Sequence, residues 1–125
     1  MSCFWQAIYK RLNATELASL RIMHQTPIML IRSLQRANIR TRGIKHNGKL
    51  VTEKQAEEHF MWIKDYKDSG NDGHETSSCD PFLCLLVYKF KWFVRLNYDG
   101  NMNTIEPGVP WSRVINLNAS RSHIS

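Results

Sequence analysis

Long apolar runs are missing from this sequence. The longest unbroken one covers residues 82–88, far short of the ~20 residues needed to span a bilayer. No charged start leads into an apolar stretch, so neither a signal peptide nor a membrane partner is expected. Cysteine is scarce and odd in number, three in all. That excludes a disulfide framework and points to a reducing compartment, the cytoplasm. Neither a C-x-x-C nor an H-x-x-x-H pair occurs, so no metal site is expected. The six glycines form no strand-to-helix loop of the phosphate-cradling kind, and no cofactor is implied. Repeats and low-complexity segments are absent as well. What remains is 125 residues, 42 % apolar and 22 % charged. That composition excludes disorder and suits one domain, residues 1–125, with a core of its own. Seventeen Lys and Arg against eleven Asp and Glu give a formal charge of +6, which opens a nucleic-acid reading.

The punctuation of the chain predicts helices first. Phe4, Ala7, Ile8 and Leu12 recur at helical spacing over residues 4–12. Asn13 with Glu16 three residues on reads as a capping box. Thr26-Pro27 reads as an N-cap and first-turn proline, opening a helix over residues 26–39. A basic connection follows over residues 40–49, with turn signals at Gly43 and Asn47-Gly48. Thr52 and Gln55 form a second capping box, and that helix is expected to run to about Tyr66. Residues 67–78 are polar and read as a loop and hinge. Asp80-Pro81 then caps an apolar helix over residues 82–90. From Trp92 the period changes from 3.6 to 2. Residues 92–98 alternate, Asp99-Gly100 is a hairpin signal, and residues 101–106 and 113–118 read as further strands. The expected class is therefore α+β, with helices in the N-terminal two thirds and a small antiparallel sheet after them.

Cys3 sits directly before the first amphipathic helix. A thiol there feels the positive end of the helix dipole and its unpaired N–H groups, which favour thiolate and can hold an oxyanion. The ordinary alternative is a small residue near a terminus. Cys79 also precedes a helix, but Asp80 beside it is expected to raise its pKa. Cys84 falls inside the apolar helix and reads as core. Among the five histidines, His24 and His59 lie on helix patterns, His46 and His74 in loops. His123 follows the last strand.

Ser2-Cys3-Phe4-Trp5-Gln6-Ala7-Ile8 resembles the nucleophile motif of the ovarian-tumour (OTU) family of papain-like cysteine proteases. In that motif a cysteine is followed by two bulky apolar residues, a variable residue, alanine and an aliphatic residue. The likeness continues through Tyr66, Gly73 and the apolar helix to the strands, and His123 followed by Ile124 resembles the family's catalytic histidine. It runs in order along essentially the whole chain, though only the first motif is specific. The resemblance implies a compact, viral-type OTU protease working through a Cys3–His123 dyad. Its substrate would be ubiquitin, a ubiquitin-like protein or a viral polyprotein, in the host cytosol. It offers Ser125, two positions after His123, as the third member, and Trp5, Trp111 and the loop holding His74 as groove walls. The Asp-Gly that the family places ahead of the cysteine motif is missing from these 125 residues. A domain cut from a larger polyprotein, or a divergent member, is expected on that ground.

Two other readings compete. Residues 14–42 suit a helix-turn-helix, with Arg36, Arg40, Arg42 and Lys45 facing nucleic acid, although a solvated basic face has the same pattern. An inactive OTU-like fold that only binds ubiquitin is the other.

Overall fold

A computed structural model describes residues 3–21, 26–67, 76–121 and 123–125. The helices are α1 (Cys3–Arg11), α2 (Ala14–Ser19), α3 (Pro27–Arg36), α4 (Glu53–Asp65) and α5 (Pro81–Phe90). The strands are β1 (Lys45–His46), β2 (Lys49–Leu50), β3 (Trp92–Tyr98), β4 (Asn101–Glu106) and β5 (Arg113–Ala119). The chain is α+β. The hinge expected over residues 67–78 falls mostly outside the described residues, as do His24 and His74.

Helices α2 to α5 each begin where a side chain can satisfy free N–H groups. Asn13 and Glu16 exchange their two capping-box hydrogen bonds at 2.8 and 2.9 Å, and Thr52 and Gln55 do so at 3.1 Å each way. Asp80 accepts from the amides of Phe82 and Leu83, which fastens the start of α5. That helix is apolar all round, and Phe82 to Val87 are all fully buried, as expected of a helix inside a core. The third helix stops at Arg36 rather than at Ile39, with Ala37 as its C-cap.

The sheet departs from the sequence reading in two ways. Its order is β2-β1-β4-β3-β5, and β5 runs parallel to β3, from Trp92 beside Arg113 to Tyr98 beside Ala119. The sheet is mixed, not antiparallel. After the β3–β4 hairpin, residues 107–112 pass beneath one strand and re-enter on its far side. Six residues cover that two-strand width of about 10 Å. In addition, the basic connection is itself part of the sheet. Asn47 and Gly48 both take positive φ, 52° and 80°, as a two-residue hairpin requires. The hairpin they close pairs Lys45 with Leu50 and, through β1, with Glu106 of β4. Strand structure therefore also lies between α3 and α4, ahead of the last two helices.

The crossover depends on one glycine. Gly108 has φ +69°, and a Cβ there would collide with the Gly43 carbonyl oxygen. A Gly108→Ala variant combines a left-handed backbone with a backbone clash. We expect a loss of about 2 kcal/mol or more, read as a lower urea midpoint with an unchanged slope.

Two partly buried histidines lie near the start of α5. Burial pushes His59 below the ordinary imidazole value, opposed by the charges of Asp80 and Glu58 and reinforced by His46. Burial likewise lowers His46, opposed by the Ser78 backbone. The unfolded chain therefore takes up protons that the folded chain resists. The stability held by these neutral rings is complete above about pH 6.5 and is lost as pH falls below it. The urea midpoint is expected to drop between pH 7 and pH 5, and to drop less in His59→Gln.

Candidate functional site: the first helix meets the chain end

The apolar face of α1 fixes where Cys3 stands. Phe4, Trp5 and Ile8 are fully buried. Trp5 packs edge-on against Phe4 and Phe82, with centroids 4.9 and 4.7 Å away, and its Nε1 donates to the Tyr66 hydroxyl at 3.3 Å. At its far end α1 is tied to β5. Arg11 Nε donates to the Asn116 carbonyl at 3.2 Å, and Arg113 Nη2 donates to the Arg11 carbonyl. The helix thus lies along β5 in the opposite direction. Half-buried Cys3 comes to rest where that strand ends.

Beyond β5 the chain doubles back. Asn118 and Ser125 exchange both main-chain hydrogen bonds, at 3.0 and 2.8 Å, and the Ser120 amide donates to the His123 carbonyl at 2.7 Å. Ala119 faces Ile124 between them. In an antiparallel pair the position next to a hydrogen-bonded one has its N–H turned away from the ladder. The freed N–H of Ile124 donates to Cys3 Sγ at 3.4 Å. The Ile124 side chain is pinned in the core at 2 % exposure. Ordinary bond lengths then hold the His123 Cα within about 6 Å of the sulfur. Residues at opposite ends of the sequence are neighbours.

The turn that presents His123 is braced from outside. Tyr98, the last residue of β3, donates its hydroxyl to the Thr76 carbonyl at 2.9 Å. The Thr76 amide donates to the Arg121 carbonyl at 3.1 Å, and the Asp99 amide to the Ala119 carbonyl at 2.9 Å. Neither Tyr98 nor Thr76 stands out as a site residue in the sequence, and Ile124 does so only as the apolar residue after His123. The only other signal was that Tyr98 closes an alternating run.

Other expected site residues are placed differently. Ser125 is exposed, and its main-chain N and O close the hairpin with Asn118. Trp5, expected as a groove wall, has no exposed surface, because its apolar spacing carries it into the core. Trp111 is 55 % exposed and packs on Phe93 at 4.9 Å. It precedes the start of β5, and a strand of seven residues puts about 20 Å between that end and Cys3. Trp111 therefore cannot wall a groove at the thiol. His74 lies outside the described residues. A cleft of about 570 Å³ opens along the flank of α1 between Gln6, Tyr9, Lys10 and Leu17.

The remaining thiols form a pair. Cys79 and Cys84 stand 3.7 Å apart, sulfur to sulfur. The contact holds the buried Cys84 thiol well above its ordinary value, with burial adding to it. It lowers Cys79 despite burial and the Asp80 charge, so the expected rise at Cys79 is reversed. Among the described residues no group of three or more His, Cys, Asp or Glu could hold a metal ion. No helix among them is long and apolar enough to cross a membrane. Of the arginines offered for nucleic acid, Arg40 is paired with Glu57 and Arg42 with Glu53 at 3.8 Å, so α4 carboxylates compete with any phosphate. No family model, curated protein or solved structure matches this chain, and its function has to be argued from its own residues.

Proposed function

We propose that this chain is an OTU-like cysteine hydrolase that cuts isopeptide or peptide bonds at the tail of ubiquitin, a ubiquitin-like protein or a viral polyprotein, with Cys3 as nucleophile and His123 as base. The observation that carries the reading is the Ile124 amide at 3.4 Å from Cys3 Sγ. It supports the pairing because His123 is the residue next to that amide along the chain. His123 takes the thiol proton and Cys3 attacks the carbonyl carbon. The oxyanion forms at the start of α1, where the positive end of the helix dipole favours negative charge. His123 then returns the proton to the leaving amine, and water releases the acyl group. No third member is needed for this sequence of steps.

The test is cleavage. Incubation with a fluorogenic ubiquitin C-terminal amide and with isopeptide-linked diubiquitin should release fluorophore and free ubiquitin. Binding of ubiquitin without release would select the inactive binding fold. Salt-sensitive binding to a DNA or RNA duplex, with neither cleavage nor ubiquitin binding, would select the nucleic-acid reading.

A further inference from the structure

We propose that Cys79 and Cys84 form a reversible redox site, closed to a disulfide by a peroxide oxidant. The inference does not depend on the hydrolase reading. Asp80 is the N-cap of α5 and Pro81 its first residue. Cys79 therefore stands just outside the helix and Cys84 on the fourth position inside it. These two positions touch across a helix start, and most chains fill them with an apolar pair. Here the contact is sulfur on sulfur at 3.7 Å. A disulfide needs a further approach of about 1.7 Å, a side-chain rotation at Cys79, whose main chain lies outside the helix.

The two thiols differ in the way a redox pair requires. Cys79 is half-buried and Cys84 fully buried. The contact also favours the thiolate at Cys79 and disfavours it at Cys84. The Cys79 thiolate attacks one oxygen of hydrogen peroxide, the O–O bond breaks, and the displaced hydroxide takes up a proton as water. Cys84 then attacks the sulfenic sulfur of Cys79. The S–O bond breaks, the S–S bond forms, and the proton of Cys84 leaves with the hydroxyl as a second water. Two thiols are oxidised and one peroxide is reduced. The segment that would be locked also carries Thr76, whose amide holds the Arg121 carbonyl in the turn before His123.

Trypsin makes the readout simple. No Lys or Arg occurs between Lys67 and Lys89, so both cysteines leave on one peptide, residues 68–89. The native full chain is treated with hydrogen peroxide, then denatured in guanidinium with iodoacetamide, digested and weighed. The expected peptide is lighter than the dithiol by two hydrogen atoms and takes up no alkyl group. After dithiothreitol it takes up two. In Cys79→Ser treated alike, Cys84 remains alkylatable. A wild-type peptide doubly alkylated after Cys3 has been oxidised would overturn the proposal. So would Cys79 oxidised to sulfinic acid beside an alkylated Cys84, or a disulfide joining either thiol to Cys3.

Discussion

Cys3→Ala is expected to abolish cleavage of the ubiquitin amide, and His123→Ala to lower kcat/KM by about 10³ or more. Both variants should keep the wild-type far-UV spectrum. His123→Ala should keep its unfolding free energy within about 0.5 kcal/mol, and Cys3→Ala, whose sulfur accepts the Ile124 amide, should lose about 1 kcal/mol. His123 is exposed, and the hairpin that carries it is held by main-chain bonds from Ser120, Asn118 and Ser125. Its removal leaves that frame in place. Cys3 is one step from the buried face of α1, whose anchors are Phe4, Trp5 and Ile8. An alanine there keeps the helix and removes only the sulfur. A dyad also predicts non-additivity, since the double variant should be no slower than Cys3→Ala alone. Ser125→Ala separates a dyad from a triad. The chain uses the main-chain N and O of Ser125 in the hairpin, and alanine keeps both, so kcat/KM should stay within about threefold of wild type.

The largest loss of stability is expected at Glu16, well away from the thiol. Its carboxylate is 8 % exposed and takes a 2.6 Å ion pair from Arg113. It also accepts from Trp92 Nε1 at 2.6 Å and from the Asn13 amide at 2.9 Å. The Arg113 guanidinium lies over the Trp92 ring, 5.4 Å from its centroid. One side chain thereby joins the start of α2 to the first residues of both β3 and β5. Glu16→Ala leaves an indole N–H without its acceptor and a half-buried guanidinium without its counter-charge. Breaking one side of a buried pair costs about 3–5 kcal/mol. Because Arg113 keeps 34 % of its side-chain surface, the lower figure is expected. Glu57→Ala gives the contrast. Its pair with Arg40 is about half exposed on both sides, and such surface pairs add little to stability. Urea unfolding of the two variants side by side should separate them clearly. In double-mutant cycles, Glu16 and Arg113 should couple strongly and Glu57 and Arg40 only weakly.

What the sequence made legible was local. Asn13 with Glu16, Thr26 with Pro27, Thr52 with Gln55 and Asp80 with Pro81 all start helices as read, because a cap needs only neighbours along the chain. Asp99-Gly100 closes the β3–β4 hairpin for the same reason, with φ of 50° and 84°. Strand direction was not legible. The alternation of Ile115 and Leu117 is the same whether β5 lies parallel or antiparallel to β3, and the choice is made by a six-residue passage through Gly108. Lys45–His46 and Lys49–Leu50 are too short to show any period, so Asn47-Gly48 looked like a turn in a connection instead of the end of a sheet. At the site, Cys3 and His123 could be joined only through the family resemblance, since nothing local links the two ends. The brace of Tyr98, Thr76 and Ile124 is made of main-chain and hydroxyl contacts that composition does not encode. Both tryptophans were misplaced because aromatic character alone does not distinguish a core wedge such as Trp5 from a surface residue at the wrong end of the sheet, such as Trp111.

Covalent capture tests the central claim most directly. Ubiquitin bearing an electrophile in place of its C-terminal carboxylate is mixed with the wild-type chain, and the adduct is mapped by peptide mass. One adduct is predicted, on Cys3, absent from Cys3→Ala and markedly slower to form in His123→Ala. A folded wild-type chain that stays unlabelled, equal labelling of Cys3→Ala, or an adduct on Cys79 would contradict it.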